Sequence, residues 1–291
     1  MSSILDDEFV VQLDDSPPFS WINQFPTRLM HCNALSTGNK LSVHASGNAL
    51  TSVLTLKDLV GERDLIVDKK YMRYEGREDI VISNSGENAR CIDFVRKSES
   101  LGTAITSGGT LKHIANEKGW NVISLPKGFP SRYLFPEIVG CVSSILGLEP
   151  YSPDMVAFAE MLAPSTITDE NIAKQLAITV VNNRVLLIHD DNSGGIARKF
   201  FESFLQTTGI LIPIIDKEQY KFFGENTPSG TLIIPLTNDL SLETQWSKLA
   251  ELIKEKSIQN YVKAAMLIDL SSLYASILLN KEFQLVDYTM E

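Results

Sequence analysis

Apolar positions arrive in short runs separated by turns of small residues, with stretches of helical spacing between them. Lys40-Leu41-Ser42-Val43-His44 alternates as a strand does and runs into Ala45-Ser46-Gly47-Asn48-Ala49, after which residues 50–60 take a helical pattern. Runs at 64–67, 80–83, 103–106 and 121–124 predict further strands, with helices over 50–60, 89–100 and 111–117 between them. A proline-punctuated loop at 125–136 leads to an apolar helix over 137–146, closed by Gly147. Pro150, Pro153 and Pro164 then punctuate a linker holding one helix over 155–162. The second half repeats the alternation. Strands are predicted at 184–189, 210–215, 231–235 and Tyr261-Val262, and helices over 195–205, 242–256 and 264–279.

Strands alternating with helices at this spacing predict the α/β class, with doubly wound, mainly parallel sheets. Strand, glycine turn and helix recur around residues 43–47 and 188–195, which predicts a duplicated α/β domain. The expected organisation is an N-terminal arm over 1–38 packing on the first domain, a first domain over 39–150, and a linker with one helix over 151–172. A second domain over 173–291 ends in a helix and tail.

Composition narrows the function classes. At 291 residues each half is large enough for its own core. A net charge of −10 weighs against a nucleic-acid surface. No apolar run approaches the roughly 20 residues of a membrane span, and the acidic start Met1-Ser2-Ser3-Ile4-Leu5-Asp6-Asp7-Glu8 lacks the basic opening of a secretion signal. The expectation is a cytoplasmic protein with neither a nucleic-acid nor a membrane partner. Cys32, Cys91 and Cys141 form no CxxC pair, and His31, His44, His113 and His189 are scattered, so reduced thiols and no metal site are expected.

The chemistry concentrates at residues 81–91, Val-Ile-Ser-Asn-Ser-Gly-Glu-Asn-Ala-Arg-Cys. A strand that ends in a small-residue turn and opens a helix aims free backbone N–H groups, and the positive end of the helix dipole, at an anion. Ser83 and Ser85 add hydroxyls, and Gly86 lets the backbone approach closely. An ordinary serine N-cap on an α/β crossover reads the same way locally.

Three elements then carry a resemblance. Ser83-Asn84-Ser85-Gly86-Glu87-Asn88 resembles the S-x-S-G-N-T loop of sugar isomerase (SIS) domains, and Thr106-Ser107-Gly108-Gly109-Thr110-Leu111 is similar to the T-x-G-G-x-L element that follows it. Leu125-Pro126-Lys127 through Ser131-Arg132-Tyr133-Leu134-Phe135-Pro136 resembles a segment of the archaeal-type bifunctional phosphoglucose/phosphomannose isomerases. The resemblance implies two SIS domains and a homodimer with sites between domains and subunits. It also implies a hexose 6-phosphate ligand and aldose–ketose exchange through a cis-enediol, with no cofactor. The phosphate would sit at Ser46, Gly47 and Asn48 and at Ser83, Ser85, Gly86 and Asn88, and Arg132 would face a sugar oxygen or the enediolate.

The chain also departs from that pattern. Asn48 and Asn88 stand where the family has serine and threonine. Glu202 lies one residue from the place of the family's base glutamate, a turn of about 100° around a helix. Residues around 219–221 hold no histidine, and Met290 replaces a lysine. Two readings compete: an isomerase using Glu202 or Glu218 as base with Arg132, and His44 or a histidine of a neighbouring subunit for ring opening, and a non-catalytic SIS protein that binds a sugar phosphate as sensor or regulator.

Overall fold

A computed structural model of the chain describes residues 2–31, 40–223, 227–237 and 247–280. The chain divides into two compact units, one of residues 27–150 and one combining the N-terminal residues through Pro26 with Tyr151 onward.

The unit of residues 27–150 is built on five parallel strands: β1 (Lys40–Ala45), β2 (Leu65–Val67), β3 (Arg77–Ile82), β4 (Thr103–Thr106) and β5 (Asn121–Ser124). Their order is β2-β1-β3-β4-β5. Ile80, Val81 and Ile82 are all fully buried, the continuous apolar run expected of a strand covered on both faces. Val81 and Ala104 pack under helices Ala89–Lys97 and Gly109–Glu117, with Cys91, Phe94, Leu111 and Trp120. By the two-residue period of strands, Ile80 and Ile82 face the opposite side. Helix Gly47–Val60 packs there against helix Phe135–Ile145. His44 is in register with Val81 and so shares the face beneath Phe94. Ala45 and Ile82, the last residues of β1 and β3, are also in register, so the turns that follow them leave the sheet side by side.

The other unit contains β6 (Arg184–His189), β7 (Ile214–Asp216) and β8 (Thr231–Pro235), parallel and in the order β7-β6-β8. Helices Ile172–Asn182 and Gly194–Thr208 pack on the 21-residue helix Ile258–Leu278. That helix corrects two expectations. Tyr261 and Val262 are not a strand, because Ser257 caps the segment by accepting from Asn260 N and the helix runs unbroken past both. The helix is also long and apolar enough to cross a membrane, although 83% of its most apolar stretch is buried within the fold, as in a central core helix. Helix Ile172–Asn182 was not anticipated. Asn171 Oδ1 caps it by accepting from Ala173 N and Lys174 N, and it buries Ala173, Leu176, Ala177 and Val180.

The N-terminal residues belong to this unit, contrary to the expectation of an arm on the first domain. Lys174, almost wholly buried, donates from Nζ to the Leu5 carbonyl at 2.6 Å, to the Pro164 carbonyl at 2.9 Å and to Asp6 Oδ1 at 3.1 Å. Asp6 Oδ1 also accepts from the Thr168 amide and hydroxyl. Burial pushes the Asp6 carboxyl up, but its bonds to Thr168 and Lys174 outweigh this and hold it below its ordinary value. Phe19 packs on Tyr274 with ring centroids 5.3 Å apart. A buried lysine needs acceptors on every side, and the segment beginning at Leu5 supplies two of them. The helix expected over 242–256 is described as Ser247–Lys254, and Met290 lies outside the described residues.

Candidate functional site

From β1 the chain moves to β2 on one side and then crosses to β3 on the other, so the carboxyl ends of β1 and β3 form the switch point at which open parallel sheets bind ligands. Each strand there feeds a helix. Ser46 precedes helix Gly47–Val60 in an extended conformation without using its hydroxyl as a cap, and Asn88 precedes helix Ala89–Lys97. Asn88 Oδ1 accepts from Cys91 N at 3.1 Å while Nδ2 donates to Ser46 Oγ at 2.9 Å, so one amide caps its own helix and ties it to the other. Gly47 has a φ of +57°, with no atom close to where a Cβ would stand. The two helix starts open on a cavity of about 580 Å³, lined by Ser46, Gly47 and Asn88 together with Lys69, Tyr71, Glu87 and Arg90.

The rest of the loop is shaped from behind. Ser83 Oγ accepts from Gly86 N at 3.1 Å, and the exposed Ser85 Oγ accepts from Glu87 N at 3.2 Å. Gly86, at φ +79°, is packed so closely that a Cβ would overlap the Gly108 carbonyl oxygen. Glu87 reaches to the start of helix Gly109–Glu117, accepting from Thr110 N and Thr110 Oγ1 at 2.8 Å each. Those two bonds, the backbone one first, hold its carboxyl below its ordinary value. The Thr106–Leu111 element therefore braces the loop rather than lining the cavity. Asn48 does not line it either: its Nδ2 donates to Ser131 Oγ at 2.8 Å, and Asn84 Nδ2 donates to the Ser131 carbonyl at 3.4 Å. Arg132, next in sequence, bonds the Tyr133 hydroxyl and lies 4.4 Å over that ring. This turn is held by the buried Arg28, whose Nε is 2.6 Å from Glu137 Oε1 and whose Nη2 donates to Glu137 Oε2 and to the Tyr133 carbonyl.

The expected catalytic groups are placed as follows. His44 is fully buried, with Nε2 3.4 Å from Asp79 Oδ1 and 3.3 Å from Ser42 Oγ, Nδ1 3.7 Å from Asp68 Oδ2, and its ring 4.1 Å from that of Phe94. It does not line the cavity. Glu202 stands in helix Gly194–Thr208 with its Oε1 2.8 Å from Arg198 Nε, one turn earlier. Its neighbour Ser203 turns inward and donates to Asp269 Oδ1 at 2.6 Å, while Lys199 Nζ lies 2.7 Å from Asp269 Oδ2. Glu218 pairs with Lys221 at 2.9 Å on the surface. Among the described residues no group of three or more His, Cys, Asp or Glu is placed to hold a metal.

Among the polar cavity residues, Lys69 and Tyr71 escaped the sequence reading, and Arg90, inside the stretch at 81–91, was given no role in it. The signal for Lys69 and Tyr71 was the run Asp68-Lys69-Lys70-Tyr71 just past β2, since any loop leaving the carboxyl edge beside a switch point borders the crevice. Asp68 holds that loop by accepting from the Lys70 and Met72 amides, and Tyr71 sits in it at φ +59°, a left-handed conformation rare outside glycine. Burial pushes the Tyr71 hydroxyl well up, helped by the Cys91 thiol 3.4 Å away, against a hydrogen bond with Ser46 that works the other way.

No protein-family model matches the chain. A curated relative, the D-glucosamine-6-phosphate 4-epimerase of Sulfolobus acidocaldarius, is 37% identical over 98 residues, 32% of this chain and 32% of the relative, so the match spans about a third of that protein's length. Among solved structures, a glucose-6-phosphate isomerase like protein from Thermus thermophilus superposes with a TM-score of 0.62 at 13% identity, covering 96% of this chain and 94% of that one. The C-terminal domain of glucosamine-fructose-6-phosphate aminotransferase from Francisella tularensis superposes with a TM-score of 0.59 at 12% identity, covering 95% and 98%. The chain thus has the α/β fold of SIS-type phosphosugar proteins.

Proposed function

We propose that the protein binds a hexose 6-phosphate and acts on it as a phosphosugar isomerase. The phosphate lies against the starts of helices Gly47–Val60 and Ala89–Lys97. The observation that carries this reading is the Asn88–Ser46 bond, which holds two helix starts together over one cavity at the switch point. Two helix dipoles, free first-turn N–H groups and the Lys69 and Arg90 charges suit a dianionic phosphate. The named substrate of the Sulfolobus relative supports a 6-phosphorylated hexose and adds amino sugars to the candidates.

The reaction is aldose–ketose exchange of the glucose/mannose 6-phosphate type. After ring opening, a carboxylate removes the proton from one of C1 and C2, a cis-enediol forms, and the proton returns to the other carbon. Glu202 is the carboxylate of this reading, Arg132 the cation for the enediolate, and a second copy of the chain completes the site as in the family it resembles. A second reading, a sugar-phosphate sensor without turnover, is favoured by the sealed surroundings of His44 and the Arg198 pairing of Glu202.

A coupled assay for glucose 6-phosphate formed from fructose 6-phosphate, run beside mannose 6-phosphate and D-glucosamine 6-phosphate, separates them. Turnover that disappears in Glu202→Gln supports the isomerase. A raised melting temperature without turnover supports the sensor. If none of these sugar phosphates raises the melting temperature, both readings fall.

A further inference from the structure

Beside the candidate phosphate cavity lies a second cleft of about 670 Å³, lined by Lys69, Lys70, Arg73, Arg90 and Lys97 and by one carboxylate, Asp93. Lys69, Tyr71 and Arg90 border both spaces, so the two form one groove. It runs from the helix starts along the side of helix Ala89–Lys97, with Tyr71 and Phe94 among its lining. Five cations gathered in a chain of net charge −10 run against the overall balance.

The neighbouring protein groups leave most of this charge unanswered. Arg73 is pinned by Asp79, with Nε and Nη2 2.9 Å and 2.8 Å from Oδ2. The carboxylate of Asp93 is engaged by Arg96 at 3.3 Å. The side chains of Lys69, Lys70, Arg90 and Lys97 make no ion pair or hydrogen bond with the described residues. Like charges held together repel one another, and a cleft lined by one sign of charge concentrates counter-charge from solution. A single phosphate at the helix starts meets only the near end of the groove, Lys69 and Arg90, and leaves Lys70 and Lys97 without an anion.

We infer that the far end of the groove, at Lys70 and Lys97, takes a second phosphoryl group, and that the preferred ligand is a sugar carrying two phosphates rather than a hexose monophosphate. This rests on the phosphate placement proposed above. It adds that substrate choice is set outside the Ser46–Asn88 pair, by exposed lysines acting as point charges with little geometric demand.

The test is calorimetric titration of the full chain with glucose 6-phosphate, glucose 1,6-bisphosphate and inorganic pyrophosphate at low salt, repeated on Lys70→Ala/Lys97→Ala. Both lysines are exposed, so the variant is expected to fold as the parent does. The expected result is a bisphosphate affinity at least tenfold above that of the monophosphate. That advantage disappears in the variant and shrinks steeply with added salt, while monophosphate affinity stays within twofold. Equal affinity for the two sugars in the parent, or a variant that weakens both to the same degree, overturns the inference and leaves the monophosphate site standing. If the monophosphate does not bind while pyrophosphate binds and is lost in the variant, the groove stands and the sugar reading falls. If glucose 6-phosphate with added inorganic phosphate reproduces the gain, the second group is a separate anion, and the claim of a doubly phosphorylated sugar is overturned.

Discussion

Asn88 Nδ2 donates to Ser46 Oγ at 2.9 Å while the same side chain's Oδ1 caps helix Ala89–Lys97 at Cys91 N, so a single amide joins the turns that leave β1 and β3. Asn88→Ala removes the cap and the tie together. Loss of an N-cap costs about 1 kcal/mol, and hexose phosphate binding is expected to weaken at least tenfold. Asn88→Asp retains an acceptor for Cys91 N but no donor for Ser46, and it sets a negative charge beside the phosphate. Its stability in urea should stay close to that of the parent, with binding weakened more than in Asn88→Ala. Binding that survives in Asn88→Asp would remove the phosphate from this turn.

Gly86 and Gly47 both have positive φ, yet their surroundings differ. A Cβ on Gly86 overlaps the Gly108 carbonyl oxygen, whereas one on Gly47 meets nothing within 4 Å. Gly86→Ala is expected to cost about 2–3 kcal/mol, backbone strain and overpacking combined. Gly47→Ala should cost only about 1 kcal/mol, the left-handed penalty alone. Denaturant midpoints of the two variants check the order.

Arg28 and Glu137 are both buried and bonded through two N–H···O contacts. Arg28→Met strands the Glu137 carboxylate in the interior, at an expected cost of about 3–5 kcal/mol. Adding Glu137→Leu removes the stranded charge and should recover most of that loss. A double variant no more stable than Arg28→Met would mean the carboxylate finds water or another donor.

Asp6 gives a pH signature. Its folded-state pKa lies below the ordinary 3.8, so the stability it contributes is present above that value and is lost as pH falls through the lower, folded-state value. Lys174, its partner, is buried and its ammonium is disfavoured by desolvation, so losing the carboxylate is costly at neutral pH. Asp6 is itself about one-third exposed, which discounts the pair through solvent screening. Asp6→Asn should lower stability by about 1–2 kcal/mol at pH 7, and the gap to the parent should close on acidification below pH 3.8. A gap independent of pH would mean that Thr168 and the Leu5 carbonyl, not the Asp6 charge, anchor the segment.

Much of the scaffold was readable because turn residues bound its strands. β4, β5, β6 and β8 occupy Thr103–Thr106, Asn121–Ser124, Arg184–His189 and Thr231–Pro235, the spans their apolar runs predicted. Ser46, Gly47 and Asn88 were legible for the same reason, since each sits where a strand gives way to a helix. Tyr261 and Val262 were misread because two strand-favouring residues say little against a capped run of helix formers around them. Lys69 and Tyr71 were missed because their meeting with Arg90 depends on strand order: β2 lies beside β1, which brings its following loop back over the crevice. His44 looked available because it precedes the turn, but its place in the alternation of β1 points it under Phe94.

Helix Ile258–Leu278 has a consequence for the order of events during synthesis. It is the last described element to emerge from the ribosome, while Leu5 and Phe19, buried in the same unit, are made well before it. The contiguous stretch of residues 27–150 carries its own sheet and core and can close while translation continues. The helices before Pro26 must instead wait, apolar sides uncovered, until the residues from Tyr151 onward have been made. Contacts of such separation fold slowly, and nascent chains that wait with uncovered apolar surface are the ones that chaperones hold.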